Sequence, residues 1–240
     1  MLSTDTIYNA VEKYRIRRLP NGLINKIAAG EVIERPASAV KELVENSIDA
    51  EATKIEIIMR NGGRTFISVT DNGCGMSKRD LLLAVERHAT SKLPTDNLDS
   101  IITLGFRGEA LPSIGAVSRL TIKTRSKDMD TGWSINVTGG DIEAMVPSSL
   151  KIGTQVEIRD LFYATPARLK FLKTDRTETG RTIEVIRRIA IVNPNISFTF
   201  NAGTRSNNRF NGAQGNLPNI RLSMISDVIG RDFEDNSLLV

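Results

Sequence analysis

An α+β fold, two-layered, with helices on one face of a mixed, mostly antiparallel sheet, follows from three features of this 240-residue chain. Two helical patterns precede any strand, and strand-like segments from Arg119 to Arg159 are separated only by turn residues. The regular strand and helix alternation of a parallel sheet is missing. Hydrophobic residues at 40% and charged residues at 25% are ordinary for a packed domain, and the length is enough to bury a core without metal or disulfide staples.

Taken in order, the first helical pattern starts near Leu23, breaks between Gly30 and Pro36, and resumes from Pro36 to Ala50, where proline suits a helix start. Lys54 to Arg60 and Arg64 to Thr70 read as strands joined into a hairpin by Asn61-Gly62-Gly63. Ser77 to His88 has helical spacing, and Ala89 to Thr103 is a long polar loop. A short helix over Gly108 to Ala116 leads into strands at Arg119 to Arg125, Gly132 to Val137, Ile142 to Val146 and Thr154 to Arg159. Helices at Pro166 to Leu172 and Thr177 to Val192 precede a closing pair of strands, Ser197 to Asn201 and Arg209 to Phe210. The segment 1–15 is then an N-terminal extension, expected to be flexible, and 16–210 one domain. The Gly, Asn and Ser content of 201–219 marks 211–240 as a linker and the start of a second domain. The apolar ending, Ser237-Leu238-Leu239-Val240, suggests that the chain continues within a longer protein.

Composition excludes several classes. No run approaches the ~18 apolar residues of a membrane-crossing helix, and the polar opening segment, with Asp5 and Glu12, does not fit a secretory signal. One cysteine, Cys74, and one histidine, His88, exclude an internal disulfide and a Cys/His zinc site, and imply a reducing, cytosolic setting. Seven basic residues between Ala164 and Ala190 (Arg168, Lys170, Lys173, Arg176, Arg181, Arg187, Arg188) face three acids, Asp175, Glu178 and Glu184, an excess equal to the net charge of +4. Such a cluster is either a footprint for nucleic acid or a solvated helix face.

Four segments carry chemistry. On the Pro36 to Ala50 helix, Val40, Leu43, Val44, Ser47 and Ile48 share one face, while Glu42, Glu45, Asn46 and Asp49 share the other with no cation among them. Hard oxygen donors suit a hydrated magnesium ion; plain exposure to solvent is the alternative. Asp71-Asn72-Gly73-Cys74-Gly75-Met76 follows a strand, where the carboxylate can accept from an exocyclic amine and the glycines leave room for a flat base; the same run also fits a glycine turn with an aspartate cap, Cys74 being its small buried filler. Leu104-Gly105-Phe106-Arg107-Gly108-Glu109-Ala110-Leu111 leads straight into a helix, so its backbone N–H groups can cradle phosphate. It is neither a Walker loop nor a dinucleotide fingerprint. Gly153-Thr154-Gln155-Val156-Glu157-Ile158 is a glycine followed by an alternating strand.

In this order the four segments resemble the ATP-binding (Bergerat-type) fold of the gyrase, heat-shock chaperone, histidine kinase and MutL superfamily. The resemblance is to the MutL DNA mismatch-repair ATPases in particular, over Leu19 to Phe200. It is carried by Ile27-Ala28-Ala29-Gly30-Glu31-Val32-Ile33-Glu34-Arg35-Pro36, Arg87-His88-Ala89-Thr90-Ser91-Lys92, Gly105-Phe106-Arg107-Gly108-Glu109-Ala110-Leu111 and Asp160-Leu161-Phe162-Tyr163-Ala164-Thr165-Pro166-Ala167-Arg168. It implies that 16–210 binds ATP and magnesium. Glu42 would be the general base for the attacking water, Asn46 the magnesium ligand, and Asp71 the acceptor of the adenine amine. Gly75 and Thr154 would complete the base pocket, Gly73, Met76 and Thr90 would also meet the nucleotide, and Gly105, Phe106, Arg107 and Gly108 would form the phosphate lid. His88 is then a structural residue beside the lid.

The implied function is an ATP-driven switch: ATP closes the lid, two copies dimerise, and the signal from a MutS-type mismatch-recognition protein passes to a repair nuclease or helicase. Sequence-independent DNA binding is secondary. Family members carry a lysine in the following domain that reaches the γ-phosphate, so slow or absent turnover is expected of this chain alone. A topoisomerase ATPase, a histidine kinase and a basic DNA-binding module centred on Arg168 to Arg188 are the rival readings.

Overall fold

A computed structural model describes residues 16–92, 105, 107–203, 207–213 and 217–230. The extension 1–15, most of the long loop, Phe106 and the last ten residues lie outside the described residues. The described residues open with α1 (Asn21–Val32) and α2 (Pro36–Asp49), the latter begun by Pro36 in the first turn behind an extended Arg35. Strands β1 (Lys54–Arg60) and β2 (Phe66–Asp71) pair antiparallel. Between them Asn61–Gly63 makes a 3-10 turn in which Gly62 and Gly63 take φ of 63° and 84°, so the expected reversal is made by its glycines.

Helix α3 (Lys78–Ala84) is shorter than its spacing predicts. Ser77 accepts from the Asp80 amide and donates to the Asp80 carboxylate, which caps its start. Its end comes early because Arg87 is drawn to Glu109 and to the Asn25 carbonyl, and His88 takes a positive φ of 63°. Next come α4 (Ala110–Val117), β3 (Arg119–Arg125) and β4 (Gly132–Thr138). The single strand expected over Ile142 to Val146 is two pieces, β5 (Asp141–Ile142) and β6 (Val146–Ser148), because bonding to β4 stops after the Glu143 amide on the Asn136 carbonyl and resumes at Val146. Strand β7 (Gly153–Arg159), α5 (Pro166–Phe171), α6 (Asp175–Val192), β8 (Ser197–Asn201), β9 (Asn207–Phe210) and α7 (Leu217–Ile229) complete the described chain.

The sheet runs β5-β4-β3-β7-β2-β1-β8-β9, with β6 also on β4, and among the described residues only the β1 and β8 pair is parallel. Alternate residues Ile55, Ile57 and Met59 of β1 and Leu120 and Ile122 of β3 are buried under the helices, with Phe198 and Phe200 of β8 filling the same layer. Helix α7, within the segment expected as a linker and second-domain start, packs on α6 and β9 through fully buried Met224.

The register decides where functional groups meet. Because β2 and β3 both run antiparallel to β7, the C-terminal ends of β2 and β3 arrive at the start of β7. Asp71 lies opposite Ile55, whose side chain is in the core, so its carboxylate points to the helix-covered face beneath α2. Among the described residues no helix is long and apolar enough to cross a membrane.

Candidate nucleotide site

Consecutive residues Asn46 and Ser47 point about 100° apart around α2, and that angle divides the site into two halves. On the sheet side, the Ser47 hydroxyl lies 3.0 Å from both Asp71 Oδ2 and the Leu43 carbonyl, and its single proton can go to only one of them at a time. Asp71 Oδ1 accepts from the Gly73 amide at 2.9 Å and the Thr154 amide at 3.2 Å. Burial pushes the Asp71 carboxyl above the ordinary aspartate range, and these donors pull it back by favouring the anion. Oδ1 is filled by two donors, while Oδ2 keeps a lone pair for an incoming N–H.

The walls around that carboxylate are backbone. Gly75 has φ of 68°, and a side chain there would run into the Arg125 carbonyl; Gly153, with φ of 126°, is pressed in the same way on the Asp71 carbonyl. The Met76 amide donates to Thr124 Oγ1 at 2.9 Å, and Thr124 Oγ1 is 3.1 Å from Thr154 Oγ1. Fully buried Thr124 thus ties the Asp-Gly turn to β7. The sequence reading missed it; a hydroxyl at an inward-facing strand position is the signal that marks it. Asn72 accepts from the Thr53 and Lys54 amides and holds the turn in place. Cys74 is exposed, which corrects the expectation of a buried filler: the glycines on either side are pressed to the backbone, and the side chain between them turns to solvent.

On the other half, Glu42, Glu45, Asn46 and Asp49 form the polar face, but two cations stand among them. Lys41 Nζ is 2.9 Å from Glu45 Oε2 and 3.8 Å from Glu42 Oε1. Lys92 Nζ donates to Asn46 Oδ1 at 2.7 Å and also to Asp49 Oδ2. Lys41 was legible as the partner four residues before Glu45; Lys92 comes from beyond α3 and only the fold brings it there. Burial, the largest effect, raises the Glu42 carboxyl above the ordinary glutamate range; Lys41 counters it, Glu45 adds to the rise, and Lys92 and Arg107 lower it. Arg107 of the glycine loop is therefore within electrostatic reach of Glu42.

The two roots of that loop close on each other. Gly108, at φ of 64°, is packed on the Ala89 carbonyl, Glu109 pairs with Arg87 at 3.1 Å and lies 3.0 Å from His88 Nδ1, and Thr90 Oγ1 accepts from the Lys92 amide. A side chain on Gly105 would point toward Lys92 Nζ. Glu42, Asn46, Lys92, Gly105 and Arg107 thus gather on one side of α2, and Asp71, Gly73, Gly75, Met76 and Thr154 on the other. The donor set fits a hydrated magnesium ion, because the side-chain oxygens of Glu42 and Asn46 are hard donors.

Three of the seven basic residues of 164–190 have partners for their side chains within the described fold. Arg181 and Arg35 flank Glu178, Arg188 meets Glu184 at 3.1 Å, and Arg168 donates to backbone carbonyls of α1.

A helix-borne acid and amide, an Asp-Gly turn and a glycine loop converging on a mostly antiparallel sheet define an ATPase domain of the histidine kinase and gyrase class, and the family described as "Histidine kinase-, DNA gyrase B-, and HSP90-like ATPase" matches residues 33–157. The DNA mismatch repair protein MutL of Rhodospirillum rubrum is 56% identical over 225 residues, 94% of this chain and 36% of that protein, and MutL of Brucella abortus is 54% identical over the same shares. A structure of the Aquifex aeolicus MutL ATPase domain complexed with ADP superposes with a TM-score of 0.68 at 32% identity, covering 82% of this chain and 70% of that one. A crystal structure of the N-terminal domain of a DNA repair protein gives 0.70 at 31% identity, over 88% and 61%. The chain belongs to this ATPase family, in its MutL branch. It spans just over a third of the length of the curated MutL proteins it matches.

Proposed function

We propose that this chain is the ATP-binding part of a slowly hydrolysing mismatch-repair switch. The observation that carries the reading is the Asp71 carboxylate, held by the Ser47, Gly73 and Thr154 donors one helix face away from Glu42 and Asn46. Asp71 Oδ2 accepts the adenine amine, and Gly73, Gly75, Met76 and Thr154 bound the base. Asn46 supplies the protein oxygen for magnesium, which neutralises phosphate charge and orients the transferred group when bound. Glu42, lifted by burial towards the working pH, takes the proton from the attacking water. Thr90 and the loop Gly105, Phe106, Arg107 and Gly108 cover the phosphates, with backbone N–H groups facing the charge.

Such a site uses binding energy for conformation. Leu23, Ile24 and Ile27 are exposed on α1, which also packs on the helix leaving the lid, and this supports nucleotide-driven homodimerisation. The proposed partners are a MutS-type protein, a downstream nuclease or helicase, and DNA without sequence preference, all in the cytoplasm and at the nucleoid. The test is calorimetric titration with a non-hydrolysable ATP analogue and magnesium: saturable binding by the wild type, lost in Asp71→Asn and reduced in Asn46→Ala, is expected. Equal binding by all three proteins rejects the pocket.

A further inference from the structure

Helix α1 ends without a basic residue in its last turn, so none of its own side chains can meet the carbonyls left over there. The need is met from far along the chain: Arg168 of α5 donates from NH1 to the Gly30 carbonyl at 2.8 Å and to the Ile33 carbonyl at 3.3 Å. Gly30 is buried, and a methyl group there would overlap the guanidinium, whose Nη2, Cζ and Nε all fall within 2.9 Å of that position. The glycine is a seat for this one side chain.

The same α5 and α6 unit grips the other side of the junction. Arg35, the residue before α2, lies 3.7 Å from Glu178, whose side chain is 2% exposed, and Glu178 also accepts from the Lys173 amide. The connection between α1 and α2 is therefore held at both ends. Helix α1 is tied to the lid as well, through Arg87 on the Asn25 carbonyl and Glu109 beyond it. What fixes α1 thus fixes the start of α2, which bears Glu42 and Asn46, together with the lid roots.

We infer that Arg168, seated on Gly30, is a positioning residue of the nucleotide site: it sets the α1 and α2 junction and through it the polar face of α2 and the base of the lid. This rests on the nucleotide reading above for its functional half only. The guanidinium is suited to it because both N–H groups of the one nitrogen Nη1 are fixed in its plane and always charged, whereas a lysine ammonium turns freely on a flexible stem.

The test compares Arg168→Ala, Arg168→Lys and Gly30→Ala, with Phe210→Leu at the far edge of the sheet as a control for general loosening. Amide hydrogen exchange of the nucleotide-free chain is read over residues 29–39, and affinity for a non-hydrolysable ATP analogue with magnesium by calorimetry. Both Arg168→Ala and Gly30→Ala should speed exchange over 29–39 about tenfold and weaken the analogue about tenfold. Lysine should restore part of each, and Phe210→Leu should change neither. Gly30→Ala is the discriminating variant, since alanine in an otherwise unconstrained helix favours the helix and would slow exchange. Unchanged or slower exchange in Gly30→Ala overturns the inference, whatever the nucleotide does. Faster exchange with undiminished affinity overturns the positioning role. A wild-type chain that does not bind the analogue defeats the nucleotide reading instead, and the exchange arm still judges the latch.

Discussion

Asp71 can hold an amine only as a carboxylate, and its carboxyl sits above the ordinary aspartate range because burial outweighs its donors. Affinity for an ATP analogue should therefore begin to fall with acid at a higher pH than an ordinary aspartate would give, as titrations across a pH series will show. Asp71→Asn should cost at least tenfold in affinity, about 1.4 kcal/mol, since an amide NH2 must then face the hydroxyl of Ser47 or the amides of Gly73 and Thr154. Glu42 carries the opposite lesson for stability. Its carboxyl is raised, so the folded state binds its proton more tightly, and the stability this gives is present at low pH and lost as pH rises through the raised value. Glu42→Gln should then melt higher than the wild type at neutral pH, the gap closing below the ordinary glutamate range, while nucleotide binding persists. Both residues were named in the sequence through the family resemblance; the glycines beside Asp71 and the helix face of Glu42 alone left a capped turn and a solvated face open. Lys92 on Asn46 and Thr124 under Met76 were not legible, because each depends on a contact about fifty residues away in sequence.

At the scale of elements, glycines at strand ends do the joining. Gly153 must take φ of 126° with its α-carbon against the Asp71 carbonyl, so Gly153→Ala should destabilise by more than about 1 kcal/mol, lowering the melting temperature by roughly 2–4 °C or more. Helix α7 is anchored by Met224, and Met224→Ala should cost about 2–5 kcal/mol in urea unfolding if its packing on α6 and β9 is part of the same cooperative unit. Most elements could be placed from periodicity and from Pro or Gly punctuation. The early end of α3 and the break between β5 and β6 could not, since helical spacing continues to His88 and apolar residues continue to Val146. Ion pairs with Glu109 and the lapse of a ladder ended those runs, and neither is a local property.

For the molecule as a whole, the proposed magnesium ion and Lys92 would compete for one oxygen. On that reading an ion at Asn46 Oδ1 would displace Lys92 Nζ, so chelating magnesium should weaken an ATP analogue much more than adenosine, which calorimetry of the two ligands will separate. If nucleotide drives association, analytical ultracentrifugation should show a heavier species with the analogue and magnesium than with either alone. The sequence by itself determined the α+β class and the order of most elements, because hydrophobic period and glycine placement are encoded within a few residues. Only the tertiary structure decided that β2, β3 and β7 end together, that Lys92 neutralises the α2 acids and that Arg168 caps α1 and is not part of a free basic face. Register and long-range ion pairs depend on which surfaces meet when the layers pack, and that is a property of the assembled core.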